Sequence, residues 1–304
     1  MNGHLRADAI RLGRRWDVWL IAAAVLGLAA LGFVQGYGDI PNHYGWDPSQ
    51  PIPPEVIAAM DAERATYAFP DSLLRLIGSA PWLLVAIFFL TSLTLGLEFG
   101  WGTIRTVLLA SSDRRRFLVS RLLALAAVGL MLFAGLLLLG AVLPEVLVAT
   151  GARLPPSPEV VPVEVLGAIA AWVVALAFVL AMAALLAIVT RNPALPFLVA
   201  IVWFILESLV ANLPPWRDLH LEQVAHSLPF SSVAALLADS LDPAHYGLAV
   251  AGGFGLQGAG SVDPGVTAGA VDRPLLFSFA VVIGWAILGL LAAATLIRRA
   301  DILE

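Results

Sequence analysis

The residue types able to do chemistry are few in this 304-residue chain: five histidines, no cysteine, no lysine, and a single carboxylate, Glu207, inside a long apolar segment. Without cysteine there is no thiolate nucleophile, disulfide or sulfur-ligated metal. Without lysine there is no Walker A loop, because that loop needs its lysine to reach the terminal phosphates of a nucleotide. If ATP drives this protein, another chain binds it. His4, His43, His220, His226 and His245 flank or lie outside the apolar segments, and none forms a pair at metal-ligand spacing on a helix. His220 with Glu222 comes nearest to a metal pair, and solvated loop histidines are the better reading. Gly253-Phe254-Gly255-Leu256-Gln257-Gly258 matches Gly-x-Gly-x-x-Gly, but a dinucleotide site requires a strand before it and a helix after it. Here Gly260, Asp263, Pro264 and Gly265 follow. No catalytic residue, metal site or directly bound cofactor is expected.

Glu207 is different. An ionisable group at membrane depth is a functional candidate by default, which makes Glu207 a candidate for a substrate pathway. The structural alternative is that it reaches the outer interface or pairs with an arginine there, such as Arg217.

The elements that must position these residues follow from composition. Hydrophobic residues make up 60% of the chain, charged residues 13%, and mean hydropathy is +0.90. Soluble domains have about 45–50% apolar and about 25% charged residues, so lipid rather than water must solvate the excess. The net charge of −5 has the wrong sign for nucleic acid. A spanning helix needs about 20 mostly apolar residues, and the charge-free gaps predict six: TM1 at 18–37, TM2 at 75–97, TM3 at 119–144, TM4 at 164–190, TM5 at 193–213 and TM6 at 274–297. Lipid offers no partner to backbone polar groups, so each must be helical. The gap from Pro243 to Val262 carries six glycines and reads as part of an external loop at 214–273, since glycine costs about 1 kcal/mol per helical position relative to alanine. A second external loop covers 38–72, with a helix-compatible stretch after Pro53 and Pro54. Short external helices that dip toward the membrane are expected between TM5 and TM6.

Of the 17 basic residues, all arginine, 12 fall on one side of this topology. The positive-inside rule makes that side cytoplasmic, with both termini there, in an inner (plasma) membrane. Leu5, Ala9, Leu12 and Trp16 share a helical face that the nearby arginines largely avoid, predicting an amphipathic interfacial helix over 1–16. Residues 298–304 form a cytoplasmic tail. The fold class is therefore an all-α membrane protein forming one transmembrane domain.

The connection between TM2 and TM3, residues 98–117, is the most informative inner segment. Trp101, Ile104, Val107 and Leu108 share a face at helical spacing, followed by Arg114, Arg115 and Arg116. From these residues alone two readings stand: an apolar ridge offered to a soluble partner, or a cap on TM2 anchored to anionic headgroups. The run Glu98-(x)3-Gly102-Thr103-Ile104-Arg105-(x)2-Leu108-Leu109, the three arginines, and a basic residue at Arg121 opening TM3 resemble the coupling segment of type-2 ABC exporter permeases. That family commonly has lysine where Arg121 stands; the charge is kept.

The resemblance implies an N-terminal interfacial helix, a cytoplasmic coupling helix and re-entrant helices between TM5 and TM6. It also implies a role for each matched position. Glu98 would orient the turn into the coupling helix, and Gly102 and Thr103 would permit it. Ile104 belongs to the same matched coupling run. Arg105, Leu108 and Leu109 would dock in a groove on an ATPase. Arg114, Arg115, Arg116 and Arg121 would form an inner-surface basic set. The implied partners are two cytoplasmic ABC ATPase subunits carrying ATP and Mg, a second permease copy or paralogue, and membrane lipids. An ion- or proton-coupled carrier or channel without an ATPase is the rival, though such proteins need ionisable groups within their spans. An intramembrane enzyme would need a base or nucleophile there.

Overall fold

The computed structural model describes residues 10, 13–44, 51–78, 81–100, 114–156, 162–211, 227–240 and 275–299. Their elements are all helices: α1 (Trp16–His43), α2 (Pro54–Ala65), α3 (Asp71–Gly78), α4 (Pro81–Gly100), α5 (Arg114–Ala149), α6 (Pro162–Thr190), α7 (Leu195–Ala211), α8 (Pro229–Asp239) and α9 (Leu275–Arg299). Among the described residues there is no strand. Helices α1, α4, α5, α6 and α9 are long and apolar enough to cross a membrane, and they make the chain a multi-pass membrane protein. Helix α7 has 17 residues, about 26 Å at 1.5 Å per residue, short of a hydrocarbon core about 30 Å thick. The interfacial helix expected over 1–16 lies almost wholly outside the described residues.

Several boundaries differ from the charge-gap reading. The helix expected at 75–97 begins at Pro81, and Arg75 belongs to the separate helix α3. Proline suits the first turn of a helix because its missing N–H has no partner there anyway. Helix α3 buries Leu74, Leu76 and Ile77, packing against α5 rather than facing lipid. Gly140 of α5 permits the approach. A Cβ there would stand 2.9 Å from the Leu73 side chain, and Ser72 Oγ donates to the Gly140 carbonyl at 2.7 Å. Helix α1 runs past its expected end at 37 through Pro41 to His43, and α5 extends beyond 119–144 at both ends.

Helix α6 is the most enclosed of the long helices and packs against α3, α4, α5, α7, α8 and α9. Its small residues explain that role: Ala168, Ala171, Ala175, Ala181, Ala183, Ala184 and Ala187 are all buried and let neighbouring helices come close. Trp172 stacks on Phe133 of α5 with ring centroids 3.9 Å apart.

Contacts sort the helix ends into two sets. At one end Arg15, just before α1, donates to Thr94 of α4 at 3.5 Å. There too Leu118, Ile188, Ala293 and Ile297 join the start of α5 to the ends of α6 and α9. We call this the basic end, because the described Arg14, Arg15, Arg116, Arg121 and Arg191 gather on it. At the far end Tyr37 donates to the Arg153 carbonyl at 3.1 Å. The Arg75 guanidinium lies 3.7 Å from the Tyr67 ring centroid and also hydrogen-bonds the Tyr67 hydroxyl. Burial pushes that phenol up to about 12, so it stays neutral, and His43 joins Glu63 at 3.2 Å.

Helix α8 packs into the bundle. Its Phe230 ring stands 5.7 Å from Phe178, near the middle of α6, and 6.4 Å from Phe88, near the middle of α4. Trp285, near the middle of α9, donates to the Ser227 carbonyl at 2.9 Å. The helix thus begins at mid-depth in the bundle, where its apolar sequence finds apolar neighbours.

The α6–α7 turn sets a tight constraint at the basic end. Arg191 takes a left-handed conformation with φ of 50°, and Asn192 Oδ1 caps α7 by accepting from the Ala194 and Leu195 amides at 2.8 and 3.2 Å. This turn lies on Gly96 of α4, where a Cβ would meet the Asn192 oxygen and Pro193 Cα, both at 2.5 Å. These are backbone atoms that cannot swing aside. Gly96→Ala should therefore lower the thermal unfolding midpoint in detergent, by a free energy of about 1–3 kcal/mol for overpacking. Gly27→Ala meets nothing within 4 Å and should hold the midpoint or raise it. Equal midpoints for the two variants would contradict this packing.

Candidate functional site

The two helices that bracket the TM2–TM3 connection each carry a charge poorly suited to its own position. Glu98 lies in the last turn of α4, where the exposed carbonyls disfavour a carboxylate. Arg121 lies in α5 and is 1% exposed, a state that costs several kcal/mol for an unpaired ion. Each relieves the other. Arg121 Nη2 forms an ion pair with Glu98 Oε1, and Arg121 Nε donates to Glu98 Oε2 at 3.4 Å. This gives the forked geometry that guanidinium and carboxylate favour. The guanidinium also lies 5.9 Å from the Phe117 ring centroid.

The pair closes the base of residues 101–113. Within α4, Gly96 touches the α6–α7 turn, and Phe99 packs on the cluster of Leu118, Ile188, Ala293 and Ile297. One turn of one helix therefore meets α5, α6, the α6–α7 turn and α9. A push on this turn reaches the whole basic end.

Helix α5 opens with Arg114, Arg115 and Arg116 and has no acid in its first turn. Positive charge at a helix N-terminus opposes the macrodipole, so helix stability does not account for the triplet. An anionic surface would: lipid headgroups, or acidic groups on a partner. Arg116 is exposed; of Arg114 and Arg115 the structure describes the helical backbone. Gly102, Thr103, Ile104, Arg105, Leu108 and Leu109 lie outside the described residues, as do His4, His220, His226, His245, Arg217 and the Gly253–Gly258 match.

Glu207 occupies a second place. It is 4% exposed, and its Oε2 accepts from the Phe230 amide at 2.9 Å, the Ser231 amide at 2.8 Å and Ser231 Oγ at 3.0 Å. It caps the N-terminus of α8 from a neighbouring helix, the favourable end for an anion. Among the described residues no group of three His, Cys, Asp or Glu could hold a metal.

Sequence reasoning missed three partners. Nothing in the run 94–100 names Arg15 or the 191–194 turn as neighbours, although Gly96 stands in a Gly-x-x-x-Gly pair with Gly100. Of the similar pair Gly32 and Gly36, only Gly36 is closely packed, with a Cβ position 2.6 Å from the Tyr67 hydroxyl. Ser231 as the partner of Glu207 had one available signal, the Leu228-Pro229-Phe230-Ser231 start of a helix.

Comparison with protein-family models, with curated proteins and with solved structures finds no match to this chain.

A double-mutant cycle measures the Glu98–Arg121 pair. Glu98→Gln should be the costlier single change, about 3–5 kcal/mol, because it strands the more deeply buried partner. Adding Arg121→Met should recover much of the loss, read as the unfolding midpoint of the purified protein. Additive costs would show that the two side chains do not depend on each other.

Proposed function

We propose that this chain is the membrane-spanning permease subunit of an ATP-driven exporter of the type-2 ABC class. It works as a dimer, with an identical or similar chain, on two cytoplasmic ATPase subunits. The observation that carries this reading is the Glu98–Arg121 pair at the base of residues 101–113, on the end of the bundle where the described arginines gather. With α4 and α5 pinned to each other by this pair, a displacement of one stem is shared by the other. When a soluble partner grips it, the displacement passes to the bundle as a rigid-body shift.

Chain parity supports a sixth crossing. The α6–α7 turn lies at the basic end against Gly96. Helix α9 reaches that same end with Ile297 after passing mid-depth at Trp285. Residue 195 lies at the basic end and α9 sets out from the far one, which favours a crossing between them, and α7 is the apolar helix that sets out. Twelve of the 17 arginines then belong to one side, and the positive-inside rule makes it cytoplasmic. The absence of lysine assigns nucleotide binding to the partner.

An ion- or proton-coupled carrier would have to work through Glu207, one of whose oxygens is already committed to capping α8. Uptake by proteoliposomes driven by a pH gradient without nucleotide would favour that rival.

The chain has no cysteine, so Arg105→Cys and Leu108→Cys each introduce a unique thiol. In native membranes both positions should crosslink to an ATPase subunit that carries a Walker A lysine, and both should resist an impermeant maleimide added to intact cells. Labelling from outside, or copurification that never yields an ATPase after crosslinking, would refute the proposal.

A further inference from the structure

Glu207 has one oxygen fully engaged and one idle. Oε2 takes three donors from the start of α8, whereas Oε1 is buried and meets no donor in hydrogen-bond geometry among the described residues. The Trp203 indole, one turn earlier on α7, also acts on the carboxylate, but not at hydrogen-bond geometry to Oε1. A helix N-terminus satisfied by the protein's own carboxylate needs no ligand. The idle oxygen does, because a buried acceptor without a donor is costly.

The surroundings narrow what that donor is. Phe230, whose amide binds Glu207, has its ring 5.7 Å from Phe178, 6.4 Å from Phe88 and 6.4 Å from Trp203. Phe197 extends the group, 5.3 Å from Phe89 and 6.4 Å from Phe88. An anionic ligand would be repelled by the carboxylate. A metal ion would need further acidic or histidine ligands, and the described residues offer no such group. A neutral hydrocarbon gains nothing from Oε1. An organic cation with apolar substituents gains from the carboxylate charge at low dielectric and from the ring faces. Trp203 is 41% exposed and Val202 and Leu206 beside it are exposed too, so the indole borders the outer flank of α7.

We infer that Glu207, with the rings of Trp203 and Phe230, forms a binding site for lipophilic organic cations, the cargo class of the exporter proposed above. The word cargo rests on that proposal; binding itself requires no ATPase. The site stands on two independent features, an idle carboxylate oxygen at mid-depth and an aromatic wall around the helix start it caps.

Tetraphenylphosphonium binding to the purified full-length protein in lipid nanodiscs tests this, with neutral triphenylphosphine oxide as the comparison. Glu207→Gln keeps a carbonyl oxygen for the α8 amides, so the fold should survive, and it should weaken tetraphenylphosphonium binding by about tenfold or more, about 1.4 kcal/mol, while leaving the neutral probe unchanged. Trp203→Leu, at an exposed position, should weaken the cation alone by a few-fold. Glu164→Gln removes an exposed carboxylate elsewhere and should change neither probe. If wild type and Glu207→Gln bind the cation equally, or if the variant loses both probes together, the site is not a cation site. Either failure leaves the ATPase-crosslinking result untouched, so the two ideas fall separately.

Discussion

A guanidinium shut away from solvent must meet an anion or weaken the fold by several kcal/mol, and Arg121 meets Glu98. The pairing holds the end of α4 to the start of α5, the two helices that residues 101–113 connect. Neighbouring contacts then become explicable. Gly96 is bare because the backbone of the α6–α7 turn lies on it. Phe99 is seated because three other helix ends converge beneath it. If the pair let go, α4 would keep its hydrophobic packing yet lose the contact that fixes its direction relative to α5.

The same rule governs the other charges within the helical framework. A carboxylate or guanidinium among apolar helices is tolerated where fixed dipoles or an opposite charge replace water. Glu207 uses the amides of α8, Arg75 uses Tyr67 and Thr66, and Arg15 uses Asp17. Each solution ties together segments distant in sequence or fixes a helix end. The few charges left inside this lysine-free, apolar chain therefore act as pins, and their positions define the two ends and the mid-depth start of α8.

How much of this was legible in the sequence depends on what sets each feature. Lipid excludes charge, so the charge-free gaps fall on α1, α5, α6 and α9, although α1 and α5 run well beyond the gaps they contain. The same counting failed at 75–78, because Leu76 and Ile77 are as apolar as any lipid-facing residues but are buried in a separate helix packed on α5. Hydropathy does not distinguish burial in protein from burial in lipid. Glu98, Arg121 and Glu207 could each be singled out by residue type. Their partners could not, since the α8 amides carry no side-chain signature and the Glu98–Arg121 match depends on how two helices turn toward each other. The depth of α8 was hidden for a related reason. A helix of 11 residues is too short to span, and only the three-dimensional packing of Phe230 shows that it enters the bundle instead of lying on it.

Helix α4 connects the two regions of interest. Glu98 stands in its last turn and Phe88 ten residues earlier, about 15 Å away along a rigid helix at 1.5 Å per residue. Phe88 contacts Phe230, the ring beside the Glu207 carboxylate, and also Phe197, while Gly96 bears on the turn from which α7 departs. A tilt of α4 from the basic end would displace both the rings that Phe88 touches and the root of α7. Side chains packed at crystal-like density do not absorb such a shift gradually; they repack between discrete arrangements. A drive applied at the Glu98 end would thus reach the Glu207 region as a change in the shape of its walls, which is the physical requirement for coupling a force at one end of a bundle to binding at its middle.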